Sequence, residues 1–180
     1  MSKLLVGIII GSDSDLAVMK ESAQILEQFD IDYEITISSA HRTLDKTLQY
    51  AKSVEQKGIE VMIVGAGMAA HLAGVIAAEV IIPVIGVPMY TSSLGGVDSL
   101  YSMVQMPGGI PVATMSIGSA GAKNAGILAA EILSIKYPQI LEKLKLFRKS
   151  MAKQVTEKDE ELQNIGYKKY LEKKSGVSNQ

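Results

Sequence analysis

The sequence predicts an α/β fold, a three-layer α/β/α arrangement around a doubly wound parallel sheet with a helical extension at the C-terminus. Three observations carry that prediction. Short aliphatic runs alternate along the chain with segments of helical periodicity, the pattern of repeated βα units. The first of these runs, Leu4–Ile10, is apolar throughout instead of at every second residue, as in a strand covered on both faces. From Gln139 onward the composition shifts to Lys, Glu and Leu, which marks a change from sheet to helix.

Leu4–Ile10 is a continuous aliphatic run rich in β-branched residues and reads as a central parallel strand. It follows a lysine, as the apolar stretch of a signal peptide does, but it leads into GSDSD with no small-residue cleavage site, so a buried strand is the expectation. Leu16, Met19, Ala23 and Leu26 then recur at helical spacing. Tyr33–Ile37 is the next strand, SSAHRT the next loop, and Leu44, Leu48, Ala51 and Val54 mark a helix ended by Gly58. Glu60–Val64 leads into the small-residue loop GAGMAAHLAG and a helix through Ala78, and Pro83–Val87 begins another strand. Val97–Met106 reads as helix, Pro111–Ile117 as extended, and Asn124–Ile135 as helix. Strand order does not follow from these assignments.

At 180 residues and 47% hydrophobic composition, the chain suffices for one substantial core and is short for two ordinary domains. A single domain over 1–180 is expected, with a core of about 1–137 and C-terminal helices over about 138–174. Leu141, Leu144, Met151, Val155, Leu162 and Ile165 give those helices an apolar stripe that is expected to pack partly on a neighbouring subunit. Ser175–Gln180 is expected to fray.

The 18 basic residues nearly cancel the 19 acidic ones, so no overall field draws nucleic acid or an anionic membrane. Gly, Pro, Ser and charged residues break every apolar stretch short of the roughly 20 residues of a membrane helix. A soluble, cytoplasmic protein is expected. The absence of cysteine removes disulfides, thiolate catalysis and sulfur-ligated metal, and suits a reducing compartment.

Ligands of open parallel sheets bind at the carboxyl ends of the strands. That rule selects three loops: Gly11–Asp15, Ser38–Thr43 and Gly65–Gly74. The first offers the hydroxyls of Ser12 and Ser14 and free amides at a helix N-terminus, which suit a phosphate, while Asp15 suits ribose hydroxyls. The same residues also serve as ordinary turn and N-cap residues elsewhere. The loop lacks the GxGxxG spacing of a dinucleotide site and the GxxxxGK[ST] of a P-loop, so neither NAD nor ATP is indicated.

The second loop sets His41, a proton exchanger near neutral pH, beside Arg42, a permanent fork of phosphate donors. Taken alone, the pair reads more readily as a surface ion pair through Arg42 with His41 simply polar. His71 in the third loop is the chain's other histidine, and its alternative role is a core or helix-capping residue bonded to backbone. Gly65, Ala66, Gly67, Ala69 and Ala70 let a flat ring lie against the backbone, or simply pack helix on sheet. No nucleophile elbow and no HExxH-like pattern is present, which argues against a serine hydrolase or a zinc site. The nine methionines read as core and interface filler.

GSDSD at 11–15, SAHRT at 39–43, GAGxAAHLxG at 65–74 and DSLYSMVQMPGGIPVAT at 98–114 together resemble the class I carboxyaminoimidazole ribonucleotide mutases, and the similarity runs through NAGILAAEIL. The resemblance implies a flavodoxin-like fold, a homo-octamer with sites at subunit junctions, and no metal or organic cofactor. It also implies a purine-biosynthetic isomerase whose substrate a separate ATP-dependent synthetase supplies. By the same resemblance His41 is catalytic and Ser12, Asp15 and Arg42 bind substrate, with Ser14, Ser39 and Ala40 nearby. Gly67, Ala70, His71 and Leu72 complete the expected substrate-binding set. Direct carboxylation of aminoimidazole ribonucleotide, as in the class II relatives, and a non-catalytic nucleotide-phosphate binding module are the alternatives. Met68 and Ala73 depart from the family loop, which reads GAGGAAHLPG, and bear on pocket shape and loop mobility.

Overall fold

The computed structural model describes residues 3–176. Five parallel strands, β1 (Val6–Ile10), β2 (Tyr33–Ile37), β3 (Val61–Ala66), β4 (Val84–Pro88) and β5 (Ala113–Thr114), form one sheet in the order β2-β1-β3-β4-β5. The helices are α1 (Leu16–Gln28), α2 (Leu44–Lys57), α3 (Leu72–Glu79), α4 (Val97–Val104), α5 (Ser119–Ser134) and α6 (Pro138–Gly176). This is the flavodoxin-like order, with its topological switch between β1 and β3.

The buried strands explain the continuous apolar runs. Every residue of β1, β3 and β4 is buried, because α2, α3 and α4 cover one face of the sheet while α1 and α5 pack together on the other. β2 lies at an edge and leaves Ile35 and Ile37 exposed. β5, the other edge, is only two residues of the extended Pro111–Ile117 segment. Pro111 has no N–H to give a ladder, and past Thr114 the segment keeps two backbone bonds to β4, from the Met115 N–H to the Gly86 carbonyl at 2.8 Å and from the Gly118 N–H to the Pro88 carbonyl at 2.9 Å.

Met19, Ala23 and Leu26 of the expected α1 face and Ala51 and Val54 of the expected α2 face are buried, and the first turn of each helix departs from the sequence reading. In α1 the buried residues are Met19, Ser22, Ala23 and Leu26, while Leu16 is exposed; in α2 they are Thr47, Tyr50, Ala51 and Val54, while Leu44 is exposed. Buried polar residues stand in for the missing apolar ones, each with a partner. The Ser22 hydroxyl donates to the Ala122 carbonyl at 2.6 Å, and Thr47 Oγ1 lies 2.8 Å from Ser38 Oγ. Gly58 closes α2 in the left-handed conformation at φ 78°, as its glycine signalled. α4 ends at Val104 and not Met106, since the residue before Pro107 is disfavoured in a helix.

By compactness the chain divides at 141/142. The second unit, which begins at Glu142, is helical over its described residues, 142–176, and is broken at Gly166, whose φ of 75° and ψ of 157° leave the helical region. Lys173 nonetheless pairs with Glu161. Twelve residues of unbroken helix span about 18 Å, so the break must turn the last segment back on the one before it. Met151, Val155 and Tyr167 are exposed there. Ser175 and Gly176 close α6, and 177–180, the rest of the segment expected to fray, lie outside the described residues. No described helix is long and apolar enough to cross a membrane.

Candidate active site

The three selected loops leave the carboxyl ends of β1, β2 and β3, and the ladder carries on into them. The Gly11 N–H donates to the Gly65 carbonyl at 3.0 Å, and the Ser38 N–H to the Ile10 carbonyl at 2.9 Å. The loops therefore start level with one another above the switch point.

In the loop after β1, Ser12 caps a short 3-10 turn over Asp13–Asp15, its hydroxyl accepting from the Ser14 N–H at 3.4 Å and from the Ser14 hydroxyl at 2.9 Å. The capping role read from sequence is thus real for Ser12. Asp15 stands at the N-cap of α1 but makes no side-chain capping bond. Burial pushes its carboxyl above the ordinary value, against the hydrogen bond from Ser14 and the Ser12 backbone, which act the other way. A half-buried carboxylate of that kind gains from hydroxyl donors.

The loop after β2 is rigid for reasons that the sequence states. Thr43 Oγ1 accepts from the Ser39 N–H at 2.9 Å and lies 3.2 Å from Ser38 Oγ, and Ser39 Oγ accepts from the backbone N–H groups of His41 and Arg42, each at 3.3 Å. Ser39 is therefore a backbone anchor in this loop. Arg42 reaches over the end of β1, where Nη2 donates to the Gly11 carbonyl at 3.2 Å, with Nε 3.5 Å from Ser39 Oγ. It bonds neutral oxygens and, among the described residues, no carboxylate, so the surface ion pair is not its role. Its charge and remaining N–H groups stay available for an anion beside Ser12 and Ser14.

The loop after β3 carries His71 to the same place. His41 Nε2 and His71 Nδ1 are 2.8 Å apart, and the two rings meet edge to face with centroids 4.9 Å apart. His71 occupies the N-cap of α3 without a side-chain capping bond and is exposed, so it is neither a core nor a capping histidine. Ala70 and Leu72 are each only 2% exposed, which leaves their backbone as what they can present to a ligand. Gly67 is partly buried against Met89 and Thr91; a Cβ there would lie 3.3 Å from Met89 Cβ. Ala40 packs on the core below.

Met68 is one of two non-glycine residues with positive φ among those described, at 56°, and its side chain is 71% exposed. The left-handed region costs a residue with a Cβ about 1–2 kcal/mol, while glycine adds about 0.5–1 kcal/mol of unfolded-state entropy. Met68→Gly should therefore raise stability by up to about 1 kcal/mol in denaturant unfolding. A loss would show that packing by the methionine outweighs its strain.

Sequence reasoning selected no residue from the loop after β4, which opens at the same edge of the sheet. Thr91 Oγ1 there donates to Asp98 at 2.8 Å and accepts from the Gly96 N–H at 3.2 Å, and Gly95 and Gly96 both have positive φ. The glycine pair and the DSLYSM motif that follows were the available signal.

The AIR carboxylase family model matches residues 5–154. The N5-carboxyaminoimidazole ribonucleotide mutase of Thermotoga maritima is 62% identical over 169 residues, 94% of this chain and 98% of that protein. The enzyme of the same name from Pyrococcus horikoshii is 58% identical over 169 residues, 94% of each chain. A crystal structure of Treponema denticola PurE superimposes with a TM-score of 0.82 at 32% identity, covering 89% of this chain and 99% of that one. With its fold, its loop motifs and these relatives in agreement, the chain belongs to the AIR carboxylase family.

Proposed function

We propose that the chain is an N5-carboxyaminoimidazole ribonucleotide mutase, an isomerase of de novo purine biosynthesis that moves a carboxylate from the exocyclic amine of its substrate to C4 of the imidazole ring. The single observation that supports it best is the placing of a proton exchanger and a phosphate fork, His41 and Arg42, over the switch point of the sheet. Relatives 62% and 58% identical over 94% of this chain carry that name.

The chemistry asks for one proton and no redox or group-carrying cofactor. The carbamate C–N bond breaks, its electron pair stays on nitrogen, and His41 protonates that nitrogen as carbon dioxide leaves. C4 then attacks the carbon dioxide, and His41, now neutral, removes the C4 proton to restore the aromatic ring. Arg42, Ser12 and Ser14 hold the phosphate and Asp15 the ribose, so that binding at remote groups orients the ring for both steps. Gly67 and the backbone of Ala70 and Leu72 form the wall that keeps carbon dioxide close, with Ser39 and Ala40 shaping the opposite side.

The test is ultraviolet-monitored turnover of N5-carboxyaminoimidazole ribonucleotide beside aminoimidazole ribonucleotide with excess bicarbonate. Conversion of the first alone is expected. Efficient use of the second would make the protein a direct carboxylase, and turnover of neither would leave a binding module.

The protein works as a homo-oligomer, an octamer by family resemblance, in the cytoplasm, where an ATP-dependent synthetase supplies its substrate. Val97, Tyr101 and Val104 of α4 are exposed, as are Met151 and Val155 in the second unit, which is the surface expected of subunits that cover one another. Light scattering at micromolar concentration should give a mass several times the monomer; a monomer would remove the oligomer from this reading.

A further inference from the structure

His41 and His71 meet although their strands are not neighbours. β2 and β3 flank β1, so their loops start about 10 Å apart with the GSDSD loop between them. Both rings are exposed and would be solvated separately if nothing brought them together. What brings them together is the backbone: the Ser39–Thr43 lock turns His41 toward β3, and the left-handed turn at Met68 and the start of α3 return His71 toward β2. The charged groups on the surrounding loops bond elsewhere, Arg42 to Gly11 and Ser39, Asp13 to Ser12 and Ser14, and Asp15 to Ser14. Each imidazole therefore has the other as its side-chain partner.

A 2.8 Å contact between two ring nitrogens is a hydrogen bond only when one carries the hydrogen and the other a lone pair. Two arrangements satisfy it, and only one serves a residue that must act as acid and then as base. If His71 donates, neutral His41 holds its hydrogen on Nδ1 and has no free lone pair for the proton on C4. If His41 donates through Nε2, its Nδ1 is left to face the substrate. Protonated His41 then gives the Nδ1 proton to the departing nitrogen, becomes neutral with the Nε2 hydrogen still bonded to His71, and takes the C4 proton back on Nδ1. The inter-ring bond persists through both half-steps, and no proton is gained or lost over the cycle.

We propose that His71 is a positioning residue that accepts at Nδ1 from His41 Nε2, and so fixes His41 in the tautomer and orientation in which Nδ1 exchanges the proton. This rests on the mutase reading for what His41 does, and adds a role for His71 other than substrate contact. It corresponds to the orienting partner of a catalytic histidine in hydrolases, with a neutral imidazole in place of a carboxylate.

The chain has two histidines, so selective labelling with 15N-histidine gives four ring nitrogens to assign. In the wild-type protein His41 should carry its hydrogen on Nε2, with a scalar coupling across the hydrogen bond to His71 Nδ1. His71→Ala should abolish that coupling and lower kcat by about 10- to 100-fold, a part of the 10²–10⁴ that general acid–base catalysis supplies, with KM within a few-fold of wild type. His71→Asn places an amide oxygen where Nδ1 was and should restore most of kcat, whereas His71→Gln, with its amide one bond farther out, should not. A wild-type His41 bearing its hydrogen on Nδ1 would overturn the proposal, as would a His71→Ala loss confined to KM or an Asn variant no better than Ala. Failure of the wild-type protein to turn over either substrate would instead sink the mutase reading, since the spectral result does not depend on turnover.

Discussion

His41→Asn should leave a folded protein of unchanged oligomeric mass and reduce turnover of N5-carboxyaminoimidazole ribonucleotide by at least about 10³-fold, toward the limit of detection. Asparagine keeps a polar side chain of similar reach, and the bonds that shape this loop run through Ser39, Thr43 and the backbone, none of which the substitution touches. What it removes is the imidazole, the group that can both give and take a proton. In the proposed mechanism both chemical steps lose their catalyst together, since one group is to protonate nitrogen and take the proton from C4, so the penalty should lie in the upper part of the 10²–10⁴ range for general acid–base catalysis. A factor of 10³ corresponds to about 4 kcal/mol in the barrier. On the proposed roles of Arg42 and the serine hydroxyls at the phosphate and of Asp15 at the ribose, binding is kept and the effect should fall on kcat. Near-normal turnover would take His41 out of the mechanism, and a loss in KM alone would make it a binding residue.

Much of this site was legible in the sequence because the physics that builds it is local. A fully apolar run such as Val6–Ile10 declares a buried parallel strand, the loop after such a strand is where ligands bind, and GSDSD, SSAHRT and GAGMAAHLAG hold most of the polar chemistry. Register and strand order were not legible, since they depend on which strands pair across the chain. The meeting of His41 with His71 follows from that order and so could be seen only in three dimensions. The face of α2 is legible only in part, at Ala51 and Val54, for a related reason. Thr47 is buried because Ser38, nine positions earlier, gives it a partner, and a count of apolar residues has no means of crediting a polar one. The sequence signal for α5 begins at Asn124, five residues after the helix itself, because SAGAK has the composition of a loop. It is helical because Gly121, Ala122, Ala125 and Gly126 are the residues small enough to let this helix lie against its neighbours.

That tight fit makes Gly121→Ala the substitution with the largest expected effect on stability. On helix propensity alone it should help, since alanine is favoured over glycine by about 1 kcal/mol in a helix interior and Gly121 has no positive φ to protect. Packing decides the other way. A Cβ at 121 would lie 1.7 Å from the Ser116 carbonyl oxygen and 2.7 Å from its carbonyl carbon, and these are backbone atoms with no rotamer to escape into. The segment that would have to move is pinned on both sides of Ser116, by the Met115 N–H to the Gly86 carbonyl at 2.8 Å and the Gly118 N–H to the Pro88 carbonyl at 2.9 Å. Relief therefore means breaking bonds to β4 or tilting the first turn of α5 away from the sheet. Overpacking of this kind costs about 1–3 kcal/mol and more where backbone must shift, so a net loss of about 3 kcal/mol is expected, seen as a fall of roughly 10 °C in thermal midpoint for a chain of this size. Gly108→Ala is the control, because a Cβ there meets nothing within 4 Å, and its change should stay within about 0.5 kcal/mol. If Gly121→Ala proved as mild as the control, the Ser116 turn would have to be free to move, and the two bonds that tie it to β4 would not be holding it.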